Sequence, residues 1–355
     1  MHRKHRRFVS VTCAAAIFPL VVAACGREDG SASGEGEPLI GFSNRFIAGN
    51  AWLSTLTDGA VKAGDERGYK VETADAQGDA TTQIAQMKTF INKGAEAIII
   101  EPVGDRNVAG GIEAAKQAGV PVIVVNDRVS EELAGQVACN IYDDGFETAK
   151  MVGAATAEAA ASRLPKNEPI DLYIQALFPQ ELVTQQREEG FMEGWNGYFE
   201  ENPGFTTNRI PNNYGEALPD RTLEAMRNVV SANPEIDVVF NQTDVVMDSV
   251  TQALQGADLM QSNGTSDVII AGFDGGMEVI KDMANNPDSA IVATGLNQPA
   301  KQAGYAVEEA IAAIEGEETG ECEGSTPTRI LPPEIVTPQN AGKYVDDDLA
   351  FAGSL

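Results

Sequence analysis

Short apolar runs alternate with stretches of helical apolar spacing from Leu39 onward. The runs Leu39 to Ser43, Val71 to Ala74, Ala97 to Ile100, Val120 to Val125 and Gln136 to Ala138 read as strands. Between them, Ala51 to Arg67, Thr81 to Lys93 and Asn107 to Ala118 place apolar residues three and four apart, the period of a helix face. Gly68, Gly94 and Gly119 stand where left-handed C-caps are expected, and Pro121 follows as a stop. The pattern then restarts. Strands are predicted near Ile170 to Ile174, Asn208 to Pro211, Val238 to Asn241, Val268 to Ala271 and Ala290 to Thr294. The accompanying helices are Asp144 to Ala161, Val183 to Glu200, Leu218 to Ala232, Val245 to Gln255 and Met277 to Met283. A last helix, Pro299 to Glu315, precedes a Glu/Gly-rich loop and two short extended pieces. Strands this apolar, separated by helices, predict parallel sheets covered on both faces. The chain therefore reads as α/β, with two doubly wound units.

Doubly wound sheets bind ligands beyond the carboxyl ends of their strands. Asn44, Asn50 and Trp52 follow the first strand, and Asp127 and Arg128 follow the fourth. In the second unit Gln175, Thr243, Asp244, Asp274 and Asn297 hold equivalent places. Amides, carboxylates, an arginine and an aromatic suit a neutral polyhydroxyl ligand, because planar polar groups bond hydroxyls in pairs and an aromatic face covers C–H groups. Taken singly, such residues are better explained as turn formers and helix N-caps. Five such sites converging on one cleft favour binding.

The N-terminus changes the inventory. Met1 to Arg7 is basic, Phe8 to Ala24 is apolar but broken by Pro19, and Val22-Ala23-Ala24-Cys25 ends the run. This is the pattern of a secretory signal over residues 1–24, too short for a comfortable membrane span. VAAC resembles the bacterial lipobox, which predicts acylation at Cys25; an ordinary signal beside a cysteine is the alternative. Residues 25–37 are rich in Gly, Ser and Glu and read as a flexible tether. Both histidines, His2 and His5, leave with the signal. The mature chain then has no imidazole for nucleophile activation or metal binding, so no catalytic residue, cofactor or metal is expected. The net charge of −28, from 53 acidic and 25 basic residues, excludes nucleic acid as a partner. Of the four cysteines, Cys139 and Cys322 remain for a disulfide in an oxidising compartment, or as two free thiols.

Several segments carry a family resemblance when taken in order: IGFSN at 40–44, DAQGDATTQIAQMKTFINKGAEAIII at 75–100 and GVPVIVVNDR at 119–128, then REEGF at 187–191, AGFDG at 271–275 and ATGLNQP at 293–299. The chain resembles the periplasmic sugar-binding proteins of ABC importers, in the branch of ribose-binding protein, over about residues 38–338. The resemblance implies the type I fold, two lobes joined by a three-crossing hinge. Lobe one is expected over 38–139 plus 298–326, and lobe two over 140–297 plus 327–355, with crossings near Cys139-Asn140, Asn297 to Pro299 and Pro327. Both Cys139 and Cys322 then fall in lobe one, near crossings.

Carried over by position, the resemblance implies ligand contacts from Asn50, Trp52, Asp127, Arg128, Asp274, Asn297 and an aromatic, Tyr214. Asp127 and Arg128 are expected to pair, and Trp52 and Tyr214 to sandwich a ring. Two places depart from ribose binders: Gln185 stands where a second arginine is expected, and Thr243 replaces an asparagine. The loop after the first strand is also longer, by Phe46-Ile47-Ala48. The implied activity is capture of a small neutral sugar or polyol by a monomer that delivers it to an ABC permease from the outer face of the membrane. A sensory receptor is the alternative. An enzyme, with Asp127 and Asp274 as a carboxylate pair, is the weakest reading.

Overall fold

The computed structural model describes residues 37–345. The signal, Cys25 and nearly all of the tether lie outside the described residues, as do residues 346–355 of the second lobe.

Two six-stranded sheets organise the chain. The first contains β1 (Leu39–Asn44), β2 (Lys70–Asp75), β3 (Ala97–Ile100), β4 (Val122–Val125) and β5 (Cys139–Asp143). Its helices are α1 (Ala51–Asp65), α2 (Ala80–Asn92), α3 (Ala109–Ala118) and the single turn α4 (Glu131–Ala134). The second contains β6 (Pro169–Ala176), β7 (Thr206–Tyr214), β8 (Val238–Asn241), β9 (Ile269–Asp274) and β10 (Ile291–Leu296). Around it lie α5 (Gly145–Arg163), α6 (Leu182–Glu201), α7 (Pro219–Ala232), α8 (Met247–Gly256) and α9 (Met277–Asn285). After β10 the chain returns to the first lobe as α10 (Pro299–Glu315), adds β11 (Thr328–Leu331) there, and ends in β12 (Ile335–Val336) on the second sheet.

The sheet orders are β11-β5-β4-β3-β1-β2 and β12-β10-β9-β8-β6-β7. Every pairing is parallel except β10 with β12. In each order the chain reverses direction across the sheet beside β1 or β6, and crevices open there at the carboxyl ends. β3 and β4 are buried at every residue, as a sheet covered on both faces requires. Gly119 caps α3 at φ 73°, a left-handed turn that costs glycine nothing.

The strand expected at Gln136 to Ala138 lies instead at Cys139–Asp143. Polar Asn140 and Asp143 disguised an interior strand, whose Cys139 and Ile141 face the core. Asn140 is accommodated because its Nδ2 donates to the Pro327 carbonyl at 3.0 Å. For the same reason the chain changes sheet after Asp143 and after Leu331, later than Cys139-Asn140 and Pro327. β5 and β11 pair Asn140 with Thr328 through Asp143 with Leu331, inside the first sheet. Cys139 and Cys322 form a disulfide, with Cα atoms 5.3 Å apart, and tie the loop before β11 to β5.

Helices α5 and α6 approach unusually closely. A Cβ on Gly190 would stand 2.2 Å from the Phe146 carbonyl oxygen, and one on Gly194 would stand 1.9 Å from that of Lys150. Only glycine permits that separation. It lets Phe191 reach the sheet and stack on Phe240, with centroids 4.2 Å apart. Between the lobes, Val245 and Val246 of the second pack into the apolar core that Trp52 and Leu53 form in the first. Among the described residues, no helix is long and apolar enough to cross a membrane.

Candidate functional site

The strand ends of both sheets face one another across a cleft of about 800 Å³, open mouth included. The first lobe lines it with Arg45, Asn50, Trp52, Glu101, Asp127 and Arg128, among others. Tyr142 and Asp143 enter from the end of β5. The second lobe supplies Phe178, Gln186, Arg187, Thr243, Asp274 and Asn297.

Each side chain is held by its local structure. Asn50 caps α1, its Oδ1 accepting from the Leu53 N–H at 2.9 Å. That leaves its amide nitrogen available to the cleft. The cap starts the helix so that Trp52 falls in its first turn, where the indole N–H donates to the Asn297 carbonyl at 2.9 Å. Asn126 adopts φ 68°, which asparagine tolerates better than most residues. Its Nδ2 donates to Glu101 at 3.2 Å, and its Oδ1 accepts from Asn297 Nδ2 at 3.2 Å.

Two ion-pair systems dominate. In the first lobe the Arg45 guanidinium, only 7 % exposed, donates to Asp127 Oδ2 at 2.8 Å and to the Pro102 carbonyl at 3.0 Å. It also reaches Glu181 of the second lobe at 3.1 Å and stands 3.7 Å from Glu101. Burial pulls its pKa down, but Glu101, Asp127 and Glu181 outweigh that and hold it above the ordinary value. One cation shared by three carboxylates does not offset the desolvation of the deepest. Burial pushes Glu101 up to about 7, against the pull of Arg45. In the second lobe Arg187 Nη2 forms an ion pair with Asp274 Oδ1 at 2.8 Å, and its guanidinium carbon lies 3.9 Å from the Phe273 ring centroid. Asp274 Oδ2 accepts from the Thr243 hydroxyl at 2.6 Å.

Seven of the residues chosen from sequence meet in this cleft: Asn50, Trp52, Asp127, Arg128, Thr243, Asp274 and Asn297. The other five do not line it. Gln175 is buried in β6, its Oε1 accepting from the Tyr173 hydroxyl at 2.9 Å. Asn44 is buried beneath α1, donating to the Leu53 carbonyl at 3.3 Å and to Thr57 at 2.9 Å. Asp244 is a structural clamp. It accepts from the Phe273 and Gly276 N–H groups at 3.1 and 2.9 Å and from the Thr294 hydroxyl at 2.6 Å. Burial pushes its pKa up to about 7. Gln185 faces solvent on α6, whereas Arg187, two residues on, lies on the buried face and lines the cleft. Tyr214 is 45 % exposed at the end of edge strand β7, so it does not sandwich a ring with Trp52. Besides Trp52, the aromatics that line the cleft are Phe46, Tyr142 and Phe178.

Asp127 and Arg128 also do not pair through their side chains. Asp127 turns to Arg45, while the Arg128 guanidinium lies 4.7 Å from the Tyr142 ring centroid. Arg45, Glu101, Asp143 and Arg187 were missed by the sequence reading. Arg45 and Glu101 follow apolar strands, which is the signal that could have found them; Asp143 ends β5, whose polar residues hid it.

Two α/β lobes, three crossings and a polar cleft between strand ends define a two-lobed solute receptor. The chain belongs to the periplasmic binding protein domain family, whose model matches residues 40–318. Among curated relatives it is 26% identical over 226 residues to the ribose import binding protein of Escherichia coli (strain K12), across 64% of this chain and 69% of that one. It is also 26% identical over 298 residues to the ribose import binding protein of Bacillus subtilis (strain 168), across 81% and 88%. An ABC transporter solute binding protein from Mycobacterium smegmatis, solved with bound glycerol, shares the fold. The TM-score is 0.74 at 24% identity, covering 89% of this chain and 100% of that one.

Proposed function

We propose that this protein is an exported receptor that captures a small neutral sugar or polyol between its closing lobes and delivers it to an ABC permease. The observation that carries the reading is the cleft itself. Its amides, carboxylates and arginines come from both lobes, interleaved with Trp52, Tyr142 and Phe178. That mixture of paired donors and acceptors with flat apolar surface matches a ring or chain of hydroxyls. A ligand touching both lobes gains contacts only in the closed state and so favours closure. The relatives named for ribose import, and the one holding glycerol, support the same class. The protein binds its solute and does not transform it. We further propose that Cys25 carries a lipid that tethers the monomer at the outer face of the membrane.

A thermal-shift panel of D-ribose, L-arabinose, D-allose, myo-inositol and glycerol tests the reading. A true ligand at a hundredfold excess over its dissociation constant stabilises the fold by about 2.7 kcal/mol. Silence across the panel rejects a sugar or polyol receptor. Mass spectrometry of protein from a lipidating host, beside Cys25→Ser, tests the anchor.

A further inference from the structure

The end of β5 carries a carboxylate that the protein's own bonding leaves unspent. Asp143 lines the cleft at the first crossing between lobes. The residue is partly exposed as a whole, but its Oδ2 is shut off from bulk solvent and has no hydrogen-bond partner among the described residues. Burial pushes its pKa up to about 6; Arg187 pulls it down, while Asp274 and Asp144 push it up. Arg187, which also lines the cleft, carries a second orphan. Arg187, 5 % exposed, spends its terminal nitrogens on Asp274 and the Gln242 carbonyl, yet its Nε–H is buried without an acceptor. Gly145 also lines the cleft, and even a methyl group there would stand 4.0 Å from Asp143 Oδ2.

A buried acceptor and a buried donor, both unmatched and both in the cleft wall, cost stability for no structural return. Such costs concentrate at functional sites. A hydroxyl offers one acceptor and one donor, which is what the two orphans lack. We propose that Asp143 is a specificity-determining residue that, with Arg187, holds one hydroxyl of the ligand. The hydroxyl oxygen accepts from Arg187 Nε, and its proton is donated to Asp143 Oδ2. Because Asp143 sits at a crossing, this contact forms where the two lobes meet. The assignment rests on the sugar-or-polyol reading above.

The test repeats the panel of D-ribose, L-arabinose, D-allose, myo-inositol and glycerol on the wild type, Asp143→Ala and Asp143→Asn, followed by calorimetry on whichever compound binds the wild type. The expected result is at least a tenfold loss of affinity in Asp143→Ala and a smaller loss in Asp143→Asn, which keeps an acceptor. The melting temperature without ligand should be unchanged or raised in both, because an unmatched buried carboxylate has gone. A purely structural aspartate would give the reverse, a lowered melting temperature with affinity retained by the folded fraction. Unchanged affinity in Asp143→Ala overturns the assignment and leaves the sugar reading standing. A wild type that ignores the whole panel overturns both.

Discussion

Arg45, on the loop after β1, reaches across the cleft to Glu181 before α6, with Nη1 and Oε2 3.1 Å apart. It is an ion pair that joins the two lobes directly. Glu181 is about a third exposed, so the pair contributes about 1 kcal/mol at most. Removing it with Glu181→Gln should shift the open–closed ratio by about fivefold. Small-angle scattering should report a larger radius of gyration for the variant without ligand, and the same closed radius with ligand. An unchanged radius means that apolar contacts at Val245 and Val246 hold the lobes by themselves.

Arg187 and Asp274 form a different kind of pair. Both side chains are over 90 % buried, and the guanidinium also covers the Phe273 ring. Breaking a buried pair leaves a charge without compensation, typically at a cost of about 3–5 kcal/mol. Arg187→Met should lower the urea midpoint accordingly and abolish ligand binding. The double variant Arg187→Met with Asp274→Asn should recover part of the stability and none of the binding.

Glu101 makes stability depend on pH in an unusual direction. Its native carboxyl keeps a proton up to about 7, against an ordinary value of 4.5. Between those values the folded protein holds a proton that the unfolded chain has released. Stability therefore falls as pH rises from about 4.5 to about 7 and levels off above, by at most about 1.4 kcal/mol per unit from this group. Urea titrations at several pH values should show that slope shrinking in Glu101→Gln. Some slope should survive in that variant, since Asp244 is also raised to about 7.

The Cys139–Cys322 disulfide closes a loop with a sequence separation of 183 residues. Cross-linking so distant a pair removes much freedom from the unfolded chain. Replacing both cysteines with serine should cost about 2–5 kcal/mol. Reductant should lower the wild type's urea midpoint toward the variant's and leave the variant unmoved.

Much of this architecture was written in the hydrophobic pattern. Buried strands such as Ala97–Ile100 and Val122–Val125 appear as unbroken apolar runs, and Gly119 marks the end of α3, because burial and a left-handed cap restrict residue type locally. The same logic exposed Asp127, Thr243, Asp274 and Asn297, which follow or end those runs. β5 escaped because Asn140 and Asp143 interrupt its apolar character, and their partners come from distant chain: Pro327 for one, the cleft for the other. Gln185 and Arg187 differ in burial because which of two neighbours on α6 faces inward depends on how α6 sits against α5. That seat is set by Gly190 and Gly194 meeting another helix's carbonyls.

By itself, then, the sequence determined two doubly wound lobes, the strand ends that face their cleft and the polar character of the site. Each follows from preferences that act within a turn or a strand. Only the tertiary structure decided that Arg45 would take Asp127 away from Arg128, that Asp244 would brace the backbone and that Asp143 would stand unmatched. Those outcomes depend on which charges burial brings together across lobes and crossings, and electrostatic partners are chosen by distance in space.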